Sequence, residues 1–157
     1  MVLLFFNSSL RTRLSTEIAA QNLGLNVISL DMSQSWKWEL EEGVTMQFDT
    51  AEHIKDAAKV ISGYADIIGI RAFPSLTNRE ADYQDNLLRK FMQYTEVPVV
   101  NLESATRHPL QSLTDMMTIR EFQKVEQPKV VLTWVPHPKA LPQSVSNSFL
   151  ELSLIHI

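Results

Sequence analysis

Short apolar runs alternate with longer amphipathic stretches along the whole chain. Val2–Phe6 is a continuous apolar run, the pattern of a strand buried on both faces. From Ser9 to Leu23 the spacing turns helical, with Ile18, Ala19 and Leu23 expected inward and Gly24 as the stop. Asn26–Leu30 reads as the next strand. Ser33 to Thr50 is polar and broken, carries Trp36 and Trp38, and is expected to be a loop. Ala51–Ser62 predicts a helix with Ile54, Ala57, Ala58 and Ile61 on one face, and Ala65–Ile70 a strand that delivers Arg71. A second loop runs from Ala72 to about Glu80, followed by a helix through Leu87, Leu88 and Phe91. Val97–Asn101 predicts a strand, Pro109 to Phe122 a helix, Lys129–Val135 a strand, and Gln143–Leu150 the start of a helix.

Alternation of this kind implies an α/β fold: a doubly wound parallel sheet with flanking helices and ligand sites beyond the C-terminal strand ends. Ser9, Arg71, Glu103 and His108 all follow predicted strand ends, so they should gather along one edge. Phe5-Phe-Asn-Ser-Ser-Leu-Arg-Thr-Arg13 is the most informative stretch at that edge. A helix starting there leaves backbone N–H groups unpaired, and Ser8, Ser9, Arg11, Thr12 and Arg13 add hydroxyls and guanidinium groups. Such a place suits phosphate or carboxylate oxygens. An ordinary serine cap on a helix with two solvated arginines explains the same residues equally well. The polar cluster His108-Pro109-Leu110-Gln111 at another strand end favours the anion site.

Composition narrows the classes. A net charge of −4 over 157 residues, with no basic stripe, argues against nucleic acid as a partner. With no cysteine there are no disulfides and no thiolate metal sites, which fits a reducing cytoplasm. The opening apolar run is too short for a signal core or a membrane span. The expectation is a cytoplasmic protein with no membrane contact, no metal and no cofactor.

Taken together, the Ser9-Leu-Arg-Thr-Arg13 turn, Arg71 in Gly-Ile-Arg-Ala-Phe, and His108-Pro-Leu-Gln-Ser-Leu-Thr-Asp115 resemble the carbamoyl phosphate domain of the aspartate/ornithine carbamoyltransferases. The Trp36 loop, the Glu103-Ser-Ala-Thr-Arg-His108-Pro run, and Thr133-Trp-Val-Pro-His137-Pro-Lys with Asn147-Ser148 beyond it are similar to the N-acylornithine branch. The resemblance implies transfer of a carbamoyl group from carbamoyl phosphate to the side-chain amine of an N-acylornithine, in arginine biosynthesis. It implies that Ser9, Leu10, Arg11 and Thr12 hold the phosphate, and that Arg71, His108 and Thr12 surround the carbonyl oxygen. Gln111 would bind the carbamoyl NH2. Glu103, His137 and Asn147 would serve the acylornithine, as would Trp36, reaching into the neighbouring subunit of a homotrimer. Trp38 has no counterpart in that scheme and is expected to pack the loop. His53 and His156 are expected to be surface residues without chemistry.

The resemblance also implies boundaries. Residues 1–125 correspond to the carbamoyl phosphate domain with an incomplete N-terminus, and 126–150 to the start of an acylornithine-binding domain that would continue further. Residues 151–157 depart from the family pattern and are expected to be a non-native tail. Related enzymes usually carry Asp-Gly where this chain has Gln47-Phe48. Ala51 stands where the succinyl-type enzymes tend to have proline and the acetyl-type glutamate. Overall similarity favours succinyl. The alternatives are a binding fragment without turnover, or an ornithine carbamoyltransferase.

Overall fold

The computed structural model describes residues 1–46, 49–133 and 135–156, with the backbone alone at 156. In chain order the elements are β1 (Val2–Phe5), α1 (Leu10–Asn22), β2 (Ile28–Asp31), a 3-10 turn (Met32–Gln34), β3 (Lys37–Glu39), β4 (Thr50–His53) and α2 (Ile54–Ser62). There follow β5 (Ile68–Arg71), α3 (Arg79–Tyr83), α4 (Asn86–Tyr94), β6 (Val99–Glu103), α5 (Pro109–Phe122) and α6 (Ser144–His156). The main sheet has the order β2-β1-β5-β6 and every pair is parallel. From β1 the chain steps one way to β2, then returns past β1 to β5 and on to β6. The switch of direction therefore lies between β1 and β5, where a doubly wound sheet opens a crevice.

Alternation along each strand divides the core in two. Val2, Leu4, Ile68 and Ile70 pack with Ile54 and Ala58 of α2 and with Leu88 and Phe91 of α4. Leu3 and Phe5 pack with Leu102 on the other side, toward α1, whose Arg13 lies over the Phe5 ring. Gly69 belongs to this second side. A Cβ there would stand 2.7 Å from Leu3 Cδ2 and 3.2 Å from Leu102 Cδ1, so the bare backbone is what lets the two leucines close over it.

Four expectations need correction. Ile18, Ala19 and Leu23 face solvent; Ala20 is the buried residue of α1. The helix shows its small Ala20 and its polar Thr12 and Arg13 to the rest of the molecule and leaves Leu10, Leu14 and Ile18 outside. The segment 33–50 is not all loop, because β3 and β4 pair in parallel as a two-stranded sheet, and α2 begins only at Ile54. Trp38, on β3, reaches the packed core: it stacks on Phe91 at 5.8 Å and meets the Phe6 ring edge-on at 5.3 Å. Finally, among the described residues no strand forms over 129–133. Val130, Val131 and Leu132 are exposed there, and no strand among the described residues pairs with them. Gln47, Phe48 and Trp134 lie outside the described residues. Helix α6 runs without a break across the expected boundary at 150.

Candidate functional site

The strand register sets the site. Phe5 pairs with Arg71, and Arg71 with Glu103, so the ends of β1, β5 and β6 form one row. A register step between Ile70 and Arg71 brings Glu103, not Leu102, opposite Arg71. Beyond this row opens a cavity of about 730 Å³, floored by Leu102 and walled by the first turns of α1 and α5. Ser9, Leu10, Arg11, Thr12, Arg71, Glu103, His108 and Gln111 all line it, although they are drawn from a hundred residues of sequence. Ser8, also expected at this turn, lines it too, and among residues not singled out beforehand Ser15, Thr16, Phe73 and Thr114 join them.

Ser9 is the N-cap of α1: its Oγ accepts from the Thr12 N–H at 3.3 Å and keeps its own O–H to donate. The N–H groups of Leu10 and Arg11 are first-turn donors at the positive end of the helix. Arg11 is exposed at the cavity mouth. Arg13 is turned away, its Nε donating to Ser29 Oγ at 2.9 Å and lying near Glu17. Arg13 therefore does not join Arg11 at the cavity.

Arg71 is buried, and its guanidinium is engaged from several directions. Nε and Nη2 reach Glu103 Oε2 at 3.2 and 3.1 Å, and Nη1 donates to the carbonyls of Ser8 at 3.2 Å and Asn7 at 3.4 Å. The Phe73 ring stacks on it at 3.9 Å. Phe73 could have been suspected from Arg-Ala-Phe, because an aromatic two residues beyond a strand-end arginine returns to its side. Asn7 Oδ1 accepts from the Phe73 N–H at 2.6 Å and so ties the β1 and β5 loops together. Glu103 is also buried, and its other oxygen accepts from Ser144 Oγ at 2.9 Å. A buried guanidinium needs such a partner. Glu103 thus lines the cavity with both oxygens engaged.

His108 caps α5 just before Pro109, which suits the first helical position because it lacks an N–H. Its backbone N–H donates to Ser148 Oγ at 2.7 Å. Its ring lies 3.6 Å from Glu103 Oε2, and its buried Nδ1 has no partner among the described residues. Burial holds the imidazole pKa below its ordinary value, against the pull of Glu103, so the neutral ring is favoured. Gln111 donates from Nε2 to Asp115 at 2.8 Å, which leaves its carbonyl oxygen as the free half of the amide.

Three expected residues stand apart from the cavity. Trp36 is 69% exposed just before β3. His137 is exposed, with its ring against the backbone of Lys139. Asn147 donates to the Thr106 carbonyl at 3.3 Å, bracing a loop. His53 caps α2 through its ring, which accepts from the Lys55 N–H.

Residues 1–121 match the carbamoyl-P binding domain of the aspartate/ornithine carbamoyltransferases. The chain belongs to that family. It is 54% identical over 152 residues to the N-succinylornithine carbamoyltransferase of Bacteroides thetaiotaomicron, covering 96% of this chain and 48% of the relative. It is 40% identical over 157 residues to the N-acetylornithine carbamoyltransferase of Xanthomonas axonopodis pv. citri, covering 98% and 46%. Among solved structures, a variant N-acetyl-L-ornithine transcarbamylase complexed with carbamyl phosphate and N-succinyl-L-norvaline superposes with a TM-score of 0.89. It is 40% identical, over 97% of this chain and 47% of that one. The chain therefore spans about half the length of the curated relatives it matches. Among the described residues no helix is long and apolar enough to cross a membrane.

Proposed function

We propose that the cavity binds carbamoyl phosphate, and that the whole protein transfers its carbamoyl group to the side-chain amine of an N-acylornithine, giving N-acylcitrulline and phosphate in arginine biosynthesis. The observation that carries this reading is the convergence of the α1 first turn, Arg71, His108 and Gln111 on one cavity. In this scheme the phosphate sits at the start of α1, on the Leu10 and Arg11 N–H groups, the Ser9 and Thr12 hydroxyls and the Arg11 guanidinium. The carbonyl oxygen lies among Arg71, His108 and Thr12, where negative charge grows as the amine attacks. Donors fixed in advance at that position are worth about 3–4 kcal/mol each. The ties of Arg71 to Glu103, Asn7 and Ser8 supply that fixity. The free carbonyl oxygen of Gln111 accepts from the carbamoyl NH2 and turns the electrophile toward the amine.

Glu103 takes the part of holding Arg71, in place of a direct contact to the acylornithine. Trp36, His137 and Asn147 retain the acylornithine role only through parts of the assembly beyond this cavity. Exposure of Trp36 supports its reaching a neighbouring subunit in a homotrimer. The higher identity to the succinylornithine enzyme supports succinyl over acetyl, with Ala51 as the position to vary. Residues 1–125 form the carbamoyl phosphate domain and 126–150 begin the second, in a cytoplasmic enzyme. The chain spans about half the length of these relatives, and the second reading is of a part that binds carbamoyl phosphate without turnover.

Calorimetric titration of the chain with carbamoyl phosphate tests the binding. Arg11→Ala should weaken it by about 1.5–3 kcal/mol, as for a hydrogen bond to a charged group. Equal affinity in the variant would show that Arg11 is a solvated helix residue. Assay of the whole protein for acylcitrulline from succinylornithine and acetylornithine tests the transfer, and a preference for free ornithine would overturn it.

A further inference from the structure

The residues from Ser104 to Arg107 join the end of β6 to the start of α5, so their shape decides where His108 stands relative to Glu103 and Arg71. No secondary structure fixes them, and their polar groups converge instead on one carboxylate that does not line the cavity. Asp85 accepts from Ser104 Oγ at 2.9 Å, from the Ala105 N–H at 2.9 Å and from Thr106 Oγ1. Ser104 Oγ in turn accepts from the N–H groups of Thr106 and Arg107, at 3.3 and 3.1 Å. Ser104 and Thr106 are buried, so these bonds have little competition from water. Asp85 also departs from what its position predicts. It immediately precedes α4, where an aspartate ordinarily caps the helix, yet it makes no cap bond and holds a left-handed backbone at φ 48°. An aspartate tolerates that conformation with some strain. The side chain has been diverted from its own helix to the loop before α5.

We propose that Asp85 is a positioning residue for the anion site: its carboxylate latches the Ser104–Thr106 loop and so holds His108 against Arg71 and Glu103. The consequence for ligand binding rests on the carbamoyl phosphate reading above, whereas the latch is a property of the chain.

The test uses the isotopically labelled 157-residue chain and the variants Asp85→Gly, Asp85→Asn and Thr106→Val. Glycine relieves the left-handed backbone while deleting the carboxylate, so what it loses reports the carboxylate and not the backbone. Asparagine also tolerates that backbone, but its single carbonyl oxygen cannot serve three donors. Amide hydrogen exchange at Ala105, Thr106 and Arg107 should speed up by about tenfold or more in both Asp85 variants, and less in Thr106→Val. The NMR titration of the His108 ring, which faces Glu103, Arg71 and Asp115, should move up toward its ordinary value as burial relaxes. Carbamoyl phosphate titrated into the same samples should bind about tenfold more weakly. Unchanged exchange would overturn the latch, and faster exchange with an unmoved His108 titration would reduce Asp85 to a loop brace and overturn its positioning role. Should the Asp85 variants not fold, Thr106→Val decides by the same two readouts. A wild-type chain that fails to bind carbamoyl phosphate sinks the functional reading, while exchange and titration still judge the latch.

Discussion

The two faces of the central sheet are built to different standards. On the face covered by α2 and α4, Ile54, Ala58, Ile68 and Phe91 are fully sealed and Trp38 closes the layer from the side. On the other, the buried core among the described residues is Leu3, Phe5 and Leu102, and the helices nearest the cavity keep much of their apolar surface outside. Leu14 and Ile18 of α1 are each 53% exposed, and Leu113 and Met117 of α5 are 52% and 64% exposed. The cavity at the strand ends opens beside this second face. One face therefore carries the stability of the chain and the other the proposed chemistry, a division of labour often found where a site needs polar groups held at a sheet edge.

Substitutions can break that comparison. Phe91→Ala should give the largest loss, about 3–5 kcal/mol, because it empties a fully buried ring position and removes the surface under Trp38. Urea denaturation measures it, and a loss below that of a conservative change on the cavity face would refute the ranking. Gly69→Ala follows at about 1–3 kcal/mol, because its methyl group would press on Leu3 and Leu102, both fully buried. The same denaturation series should place it between Phe91→Ala and any surface change.

A pH-dependent loss comes next. Burial depresses the pKa of His108 in the folded chain, so above the ordinary value of 6.5 the ring is neutral in both states and its full contribution is present. As pH falls below 6.5 toward the folded pKa, the unfolded chain takes up the proton first and stability declines. His108→Gln should flatten that slope in thermal melts recorded from neutral to mildly acidic pH. The smallest effect belongs to Leu14→Glu on the exposed stripe of α1, within about 0.5 kcal/mol either way. Its signature is less self-association by size-exclusion chromatography, since it interrupts an apolar patch. A large destabilisation would mean that the stripe is part of the core after all.

What could be read in the sequence follows from locality. Ser9 as a cap, Gly24 as a stop and Pro109 at the first position of α5 are signals complete within a few residues, and each marks its helix end. The gathering of Ser9, Arg71, Glu103 and His108 at one edge followed from strand ends in a parallel sheet, without any knowledge of contacts. The failures were of partnership. Val130, Val131 and Leu132 have the composition of a strand whether or not another strand lies beside them. Lys37–Glu39 and Thr50–His53 are too short to announce themselves and exist by pairing with each other. The outward turn of Ile18 depends on which side of α1 meets the sheet, and that was settled by Arg13 reaching Ser29 and Phe5. Asp85 was not singled out, because nothing in its local sequence sets it apart. Only the fold reveals that its acceptors serve a loop some twenty residues away.

The register step at the end of β5 has a bearing on engineering. Strand pairing there runs Ile70 with Asn101 and then Arg71 with Glu103, one extra residue on β6 being passed over. That skipped residue, Leu102, drops into the apolar layer, and its absence from the ladder places a carboxylate beside the guanidinium. A transplant of this anion cup onto another parallel sheet must carry the irregularity with it. Copying the side chains onto an unbroken ladder would seat a leucine across from the arginine, and the graft would bury a cation with nothing to neutralise it.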